Sequence, residues 1–309
     1  MTAFEVLRFA GGALRGHRLR TVLSLLGVAV GVTSVVLLTS LGEGARVYVT
    51  GEFASLGSNL LIIMPGRTET TGFAPPVGGA PHDLTLDDAD AIRRLPGVRR
   101  VAPMAIGSVT ARAGDLTRDT IVVGATAAWR DVRHIDMQGG AFLPDGDAER
   151  DRGVCVVGRV VQQELFPGRS ALGELLRLGD ARFRVIGVIA PRGTSLGMNL
   201  DEVVLIPVGR HMKMFNETSL MRVLVEMRSH DELPSARLAV LGLMTTRHTE
   251  EDVTVVTQDS MLATFSRLLG MLTAALTGIA AISLSVAGVG IMNVMLVSVS
   301  ERTREIGRL

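Results

Sequence analysis

The sequence predicts an α+β protein in which two transmembrane helices flank a two-lobed extracytoplasmic domain, a split βαβ lobe with a mainly β lobe inserted into it. Three observations carry this expectation. Residues Leu268 to Ser300 contain no charged side chain, and a helix needs about 20 apolar residues to cross a bilayer. A second apolar stretch, Thr21 to Leu41, follows Arg8, Arg15, Arg18 and Arg20. Between the two lie short strand and helix patterns punctuated by Gly and Pro, in a chain that is 47% apolar yet 20% charged, the composition of a membrane protein with a large water-exposed part.

Residues 1–20 place Phe4, Leu7, Ala10, Leu14 and Leu19 near a helical period with arginines beside them. This reads as an amphipathic helix on the cytoplasmic membrane surface, with a solvated basic tail as the alternative. The first span, 21–41, is longer than the apolar core of a cleaved signal peptide and no Ala-x-Ala follows it, so it reads as a retained helix. Gly27 and Gly31 form a GxxxG packing face within it. Basic residues mark the cytoplasmic side of a span. The first span is preceded by arginines and the second is followed by Arg302, Arg304 and Arg308, so both termini are expected inside and 42–267 outside. The single cysteine, Cys155, excludes an intrachain disulfide, which leaves the domain to its own core.

Within 42–267, the apolar run Asn59 to Met64 is stopped by Pro65-Gly66 and reads as a buried strand. Residues 67–81 are rich in Gly, Pro and Thr and read as a loop. Thr85 then caps a helix with Asp88 as its partner three residues on, running to Pro96-Gly97, and Val98 to Met104 is a strand. The pattern recurs as strand 221–227, helix 233–247 and strand 253–257. Two strand-helix-strand units far apart in sequence suggest one lobe that runs directly into both spans. The insertion, 110–208, carries strands at 120–123, 154–157, 183–189 and 203–206 and one short helix at 159–166. In the second span, 268–300, Ala274 and Gly278 lie four apart, as do Ala281 and Ser285, and Asn293 is polar well inside the run. Small residues at that spacing and a lone amide suit contact with another helix.

Few motifs carry chemistry. Gly193-Thr194-Ser195-Leu196-Gly197 matches G-x-S-x-G, but a strand rather than a helix is expected after it, so a surface loop is the better reading. His82, Asp83, Asp87, Asp88 and Asp90 have metal-ligand chemistry, yet capping and the helix dipole explain acids in a first turn. Asp145, Asp147, Glu149 and Asp151 resemble half of a calcium loop without its terminal Glu. The phosphate-binding loop with its Gly-Lys step is absent, since the sole lysine is Lys213. No catalytic residue, metal or cofactor is expected, and any driven work must draw energy from a partner. A net charge of +1 implies no nucleic-acid partner.

The chain resembles the MacB and FtsX type permeases of ATP-binding cassette systems, which include the lipoprotein-release permeases, and is most similar to the MacB branch. The resemblance rests on Leu23 to Val28, Ser40 to Ala45, Gly57 to Leu61 through Pro65-Gly66, Leu95 to Val98, Val157-Gly158 with Leu165-Phe166, and Phe183 to Val188. Its most specific block is Met292 to Gly307. The resemblance implies a bacterial inner-membrane permease with a two-lobed outer domain. It also implies an ABC ATPase partner docked on a coupling helix that begins at 301–309, with Glu301, Arg302, Thr303, Arg304 and Glu305 at the contact. Pairing with a second permease or as a homodimer, and a periplasmic adaptor protein, are further implied partners. Such permeases continue into third and fourth spans, and the chain ends before any, so a truncated or split permease is expected. The alternative is a non-transporting, membrane-anchored adaptor that binds a periplasmic protein or a cell-wall enzyme regulator.

Overall fold

Strand β1 (Leu60–Pro65) shows how apolar runs of this sequence fold: Leu60 and Ile62 enter one buried cluster while Leu61 and Ile63 enter another on the opposite face. A strand covered on both faces reads as a continuous hydrophobic run. The computed structural model describes residues 59–66, 82–145, 153–195 and 198–306, with part of 22–47. It divides into two compact units, Val49–Leu262 and Met1–Tyr48 with Ala263–Leu309.

In the first unit, α2 (Leu86–Arg93) follows β1 and leads to β2 (Val98–Ala113); later β11 (Arg222–Met227), α6 (Leu233–His248) and β12 (Val253–Thr257) repeat the order. The sheet order β12-β1-β11-β2 interleaves the two strand-helix-strand units. Numbered by sequence within the lobe it is 4-1-3-2, the split β-α-β-β-α-β arrangement. Helices α2 and α6 cover one face over Leu61, Ile63, Val101, Val223 and Val225, burying Ile92, Val240 and Met244 against them.

The two lobes share one sheet. Strand β2 is 16 residues long, not the seven-position strand expected from Val98 to Met104. Its start pairs with β11, its length with β3 (Leu116–Ala125), and its far end with β6 (Leu175–Leu178). Pro103 is the reason it reads as shorter, because proline is unwelcome in a central strand. Here the β3 ladder begins only at Met104 paired with Ala125, so Pro103 has a strand neighbour on one side alone. The sheet continues through β10 (Val203–Pro207), β5 (Val154–Val157) and β7 (Ala181–Ile189) to β4 (Met137–Gly140). Helix α4 (Arg159–Leu165) buries Val161 and Leu165 against Val122, Phe183 and Val204.

Two helices have no counterpart in the expected elements. The five-residue α3 (Ala128–Val132) is too short to show a period, and α5 (Val208–Phe215) directly follows a strand. Its Phe215 lies over Gly107, where a methyl group would sit 2.5 Å from the ring.

Helix α7 (Gln258–Ile306), which belongs to the second unit from Ala263 onwards, is a continuous helix of 49 residues, begun directly after β12 rather than near Leu268. At about 1.5 Å per residue it reaches roughly 73 Å. Among the described residues it is the one helix long and apolar enough to cross a membrane; α1 (Gly31–Ala45) is a shorter apolar helix. The two pack antiparallel. A methyl on Gly31 would lie 3.7 Å from Ala280, and one on Gly42 would lie 3.9 Å from Leu269. The hydroxyls of Thr39, Thr273 and Ser285 each donate to a carbonyl one turn back in their own helix.

Candidate functional site

The densest chemistry in the domain lies where α2, the last turn of α6 and the lead-in to β12 converge. Thr85 and Asp88 form the anticipated reciprocal cap: the Asp88 amide donates to Thr85 Oγ1 at 3.3 Å and the Thr85 amide to Asp88 Oδ2 at 2.9 Å. A carboxylate in that position is usually solvated. Asp88 is buried because the end of α6 lies over it, with Arg247 Nε donating to Oδ1 at 2.6 Å and His248 Nε2 at 3.2 Å from Oδ2. Thr249 then adopts a left-handed conformation at φ 67, which reverses the chain and delivers Asp252 to the other side of the same ring. His248 Nδ1 is 2.8 Å from Asp252 Oδ1, and His82 Nδ1 is 3.1 Å from Asp252 Oδ2.

His248 therefore sits between two buried carboxylates. A neutral imidazole carries one N–H and an imidazolium carries two, while ionised carboxylates only accept. Burial, the largest influence, works against charge on His248, but the hydrogen bonds to Asp252 and Asp88 and their fields outweigh it and raise its pKa above the ordinary histidine value. Asp88 is held below the ordinary carboxylate value: burial alone raises it, and the donors from Thr85, Arg247 and His248 together more than reverse this.

The network ends at the start of β12, the strand whose other end runs on into α7. Gly66 N donates to Asp252 O at 2.7 Å, closing the β1–β12 ladder at Pro65 and Val253. At the other end of β12, Thr257 N donates to Ser260 Oγ and Ser260 N to Thr257 Oγ1, both at 3.1 Å. That reciprocal cap fixes the first turn of α7 directly to the strand. Asp259 on that turn also meets His230 Nε2 at 3.2 Å.

The anticipated site residues fall in several places. Of the five candidate metal ligands, His82 and Asp88 join the network; Asp83 accepts from Thr218, Asp90 pairs with Arg93, and Asp87 is exposed. Among the described residues no group of three or more His, Cys, Asp or Glu is arranged to hold a metal. Ser195 lies in a two-residue ribbon, β8 (Thr194–Ser195) with β9 (Met198–Asn199), and a 3-10 turn at Leu200–Glu202 follows. A nucleophile elbow needs a strand-to-helix turn there. Leu196, Gly197, Asp147, Glu149, Asp151 and Gly27 lie outside the described residues, as do 67–81 and the expected helix at 1–20. Gly31 faces Ala280, while Ala274, Gly278 and Asn293 are exposed on α7. Positions Glu301 to Glu305 form its last turns.

Sequence reasoning missed Arg247, His248 and Asp252, which stand about 160 positions from Asp88 and carry no motif. An open cleft of about 580 Å³ is lined by Arg99, Arg100, Arg130, His134, Asp136 and Glu226. Its charges are matched within the fold, Arg100 meeting Glu226 at 2.8 Å and Asp131 at 3.1 Å, and Arg99 meeting Glu226 at 3.1 Å.

Comparison with known proteins agrees with this architecture. The macrolide export ATP-binding/permease protein MacB of Hyphomonas neptunium is 35% identical over 306 residues, covering 98% of this chain and 47% of that protein. The protein of the same name from Rhodospirillum rubrum is 36% identical over 310 residues, covering 98% and 46%. The chain thus spans about half the length of the curated relatives it matches. Among solved structures, the periplasmic region of MacB from Actinobacillus actinomycetemcomitans superposes with a TM-score of 0.61 at 18% identity, over 71% of this chain and 98% of that one. The extracellular domain of the noncanonic ABC-type transporter YknZ from Gram-positive bacteria gives 0.54 at 22% identity, over 64% of this chain and all of that one. At those identities the likeness is one of fold. The sequence profile of the MacB-like periplasmic core domain matches residues 21–242, and with the relatives above it establishes that this chain belongs to the MacB-like periplasmic core domain family.

Proposed function

We propose that this chain is the permease part of an ABC-type exporter or mechanotransmission complex, moving its outer domain in response to ATP hydrolysis by an ATPase partner. The observation that carries the reading is the unbroken path from sheet to helix end: β12 enters α7 through the Thr257–Ser260 cap, and α7 runs without interruption to Ile306. A helix this long, whose Met271, Ile279, Ile282, Val286 and Met295 are exposed, gains far more from lipid than from water. Its last turns carry Glu301, Arg302, Arg304 and Glu305, paired charges suited to a partner surface. The names of the relatives join an ATP-binding and a permease activity, and this chain carries no phosphate-binding loop for the former.

In this reading 21–41 and 268–300 span the inner membrane with both termini cytoplasmic, and 42–267 lies outside, with 110–208 as the inserted lobe. A second permease or second copy packs on Ala274, Gly278 and Asn293, and a periplasmic adaptor meets the outer domain. The test is co-purification of the membrane-embedded chain with its ABC ATPase. The wild type retains the ATPase; joint reversal of Arg302→Glu and Arg304→Glu lowers recovery by about tenfold, the equivalent of about 1.4 kcal/mol of lost contact. Unchanged recovery in the double variant overturns the coupling role. Absence of any ATPase from the wild-type complex favours a membrane-anchored adaptor instead.

A further inference from the structure

His248 is surrounded by charge from every element that packs on it. Asp88 faces it from α2, capped by Thr85; Arg247 precedes it on α6 and reaches Asp88. Asp252 faces it from the lead-in to β12, and His82, from the stretch before α2, lies with its ring 5.6 Å away and its Nδ1 on Asp252. Glu250 and Glu251 on the same lead-in are exposed. The side chains of Asp88 and Asp252 are 2% and 1% exposed, and that of His248 is 8% exposed. With a neutral ring, one carboxylate confronts an imidazole lone pair and the buried charges do not balance. With an imidazolium, both carboxylates are met and the charges of Asp88, Asp252, Arg247 and His248 cancel.

We propose that His248 is a proton-operated clamp that ties α2 and α6 to the lead-in of β12, so that the strand from which α7 departs is held firmly in acidic surroundings and loosely in alkaline ones. Among the described residues the lead-in has no other side-chain tie of comparable burial. Its Asp252 carbonyl accepts from Gly66, so releasing the side chain also frees the end of the β1–β12 ladder. The direction follows from linkage. A histidine whose folded pKa is raised contributes its full stabilisation below the unfolded value of about 6.5 and loses it as pH climbs through the folded value. Between the open-state and the folded value each pH unit lowers the clamped population about tenfold relative to the open one, and above the folded value the loss is complete and levels off.

The test is hydrogen exchange of the full chain in nanodiscs, following peptides that cover 249–257 and corrected for the intrinsic pH dependence of exchange. The wild type should open about tenfold more readily near pH 8.5 than near pH 6. His248→Gln, which keeps a donor and cannot charge, should be open and independent of pH; His82→Gln should keep the wild-type profile. A flat wild-type profile overturns the clamp even if His248→Gln fails to fold. So does a pH response retained in His248→Gln, lost in His82→Gln, or abolished by a chelator, which would mark a metal site instead.

Discussion

Replacing Asp88 by alanine removes the carboxylate that three parts of the fold share. The reciprocal cap with Thr85 disappears, costing α2 about 1 kcal/mol. Arg247 and His248 lose a buried partner, and breaking a buried ion pair from one side costs about 3–5 kcal/mol. That range is approached from below here, because the Arg247 side chain is 37% exposed and turns to water, while His248 keeps Asp252 at 2.8 Å. A total near 3–4 kcal/mol follows. For a domain of this size, about 2–4 °C of melting temperature accompany each kcal/mol, so the loss should be about 10 °C. The sole tryptophan, Trp129, is fully buried in this unit, and its fluorescence reports unfolding of the domain in the detergent-solubilised chain. The sharper test is a double-mutant cycle with His248→Gln. Contacting charges couple by roughly 0.5–3 kcal/mol, so the double variant should lose clearly less than the sum of the two single losses. A single-variant effect under about 0.5 kcal/mol, or additive effects, refutes the shared-carboxylate account.

Gly158 caps α4 with its Cβ position facing backbone: a methyl there would lie 2.5 Å from Leu200 O and closer still to Asp201 O. Gly158→Ala should cost about 3 kcal/mol, against about 1 kcal/mol for Gly168→Ala, where φ is 71 but space is open; equal melting temperatures would contradict this. His211, buried on α5, is pushed down to about 4 by burial, offset only partly by the Val122 backbone. Its folded form resists the proton that the unfolded chain accepts at about 6.5, so its contribution is complete above that value and falls by roughly 3 kcal/mol as pH drops towards 4. In His211→Phe that acid-side loss should vanish from the difference between the two stability curves.

What the sequence made legible were features whose signals are local. The Thr85–Asp88 cap, the alternating β11 and the apolar β12 all stand where residue type and spacing put them. The amphipathic α5 shows what local reading can overlook, since Val208, His211, Met212 and Phe215 recur at helical spacing right after a strand. The interleaving of β11 between β1 and β2 has no local signal, because it is decided by which faces bury together. Nor has the network around His248. Arg247 and His248 look like basic residues at a helix end, favourable to its dipole, and Asp252 looks like a turn acid. Only the left-handed turn at Thr249 and the burial of Asp88 under α6 turn them into one charged cluster.

The interleaved order also decides which strands hold β12 within the domain. In a lobe with strands in sequence order, β1 and β12 would sit at opposite edges and a pull on one would cross the whole sheet. Here β12 pairs with β1 over Leu61–Thr257 to Pro65–Val253, and β1 in turn pairs with β11. Ladder hydrogen bonds run across the strands, so displacing β12 along its axis breaks several together, whereas tilting it keeps them. The Thr257–Ser260 cap leaves no slack residue between this strand and the first turn of α7. Among the described residues, the buried side-chain restraint on this edge strand is the His248 network before its first residue. Weakening that network should loosen β12 while leaving the inner β1–β11 and β11–β2 ladders intact, which separates the stiffness of the edge from the stability of the core.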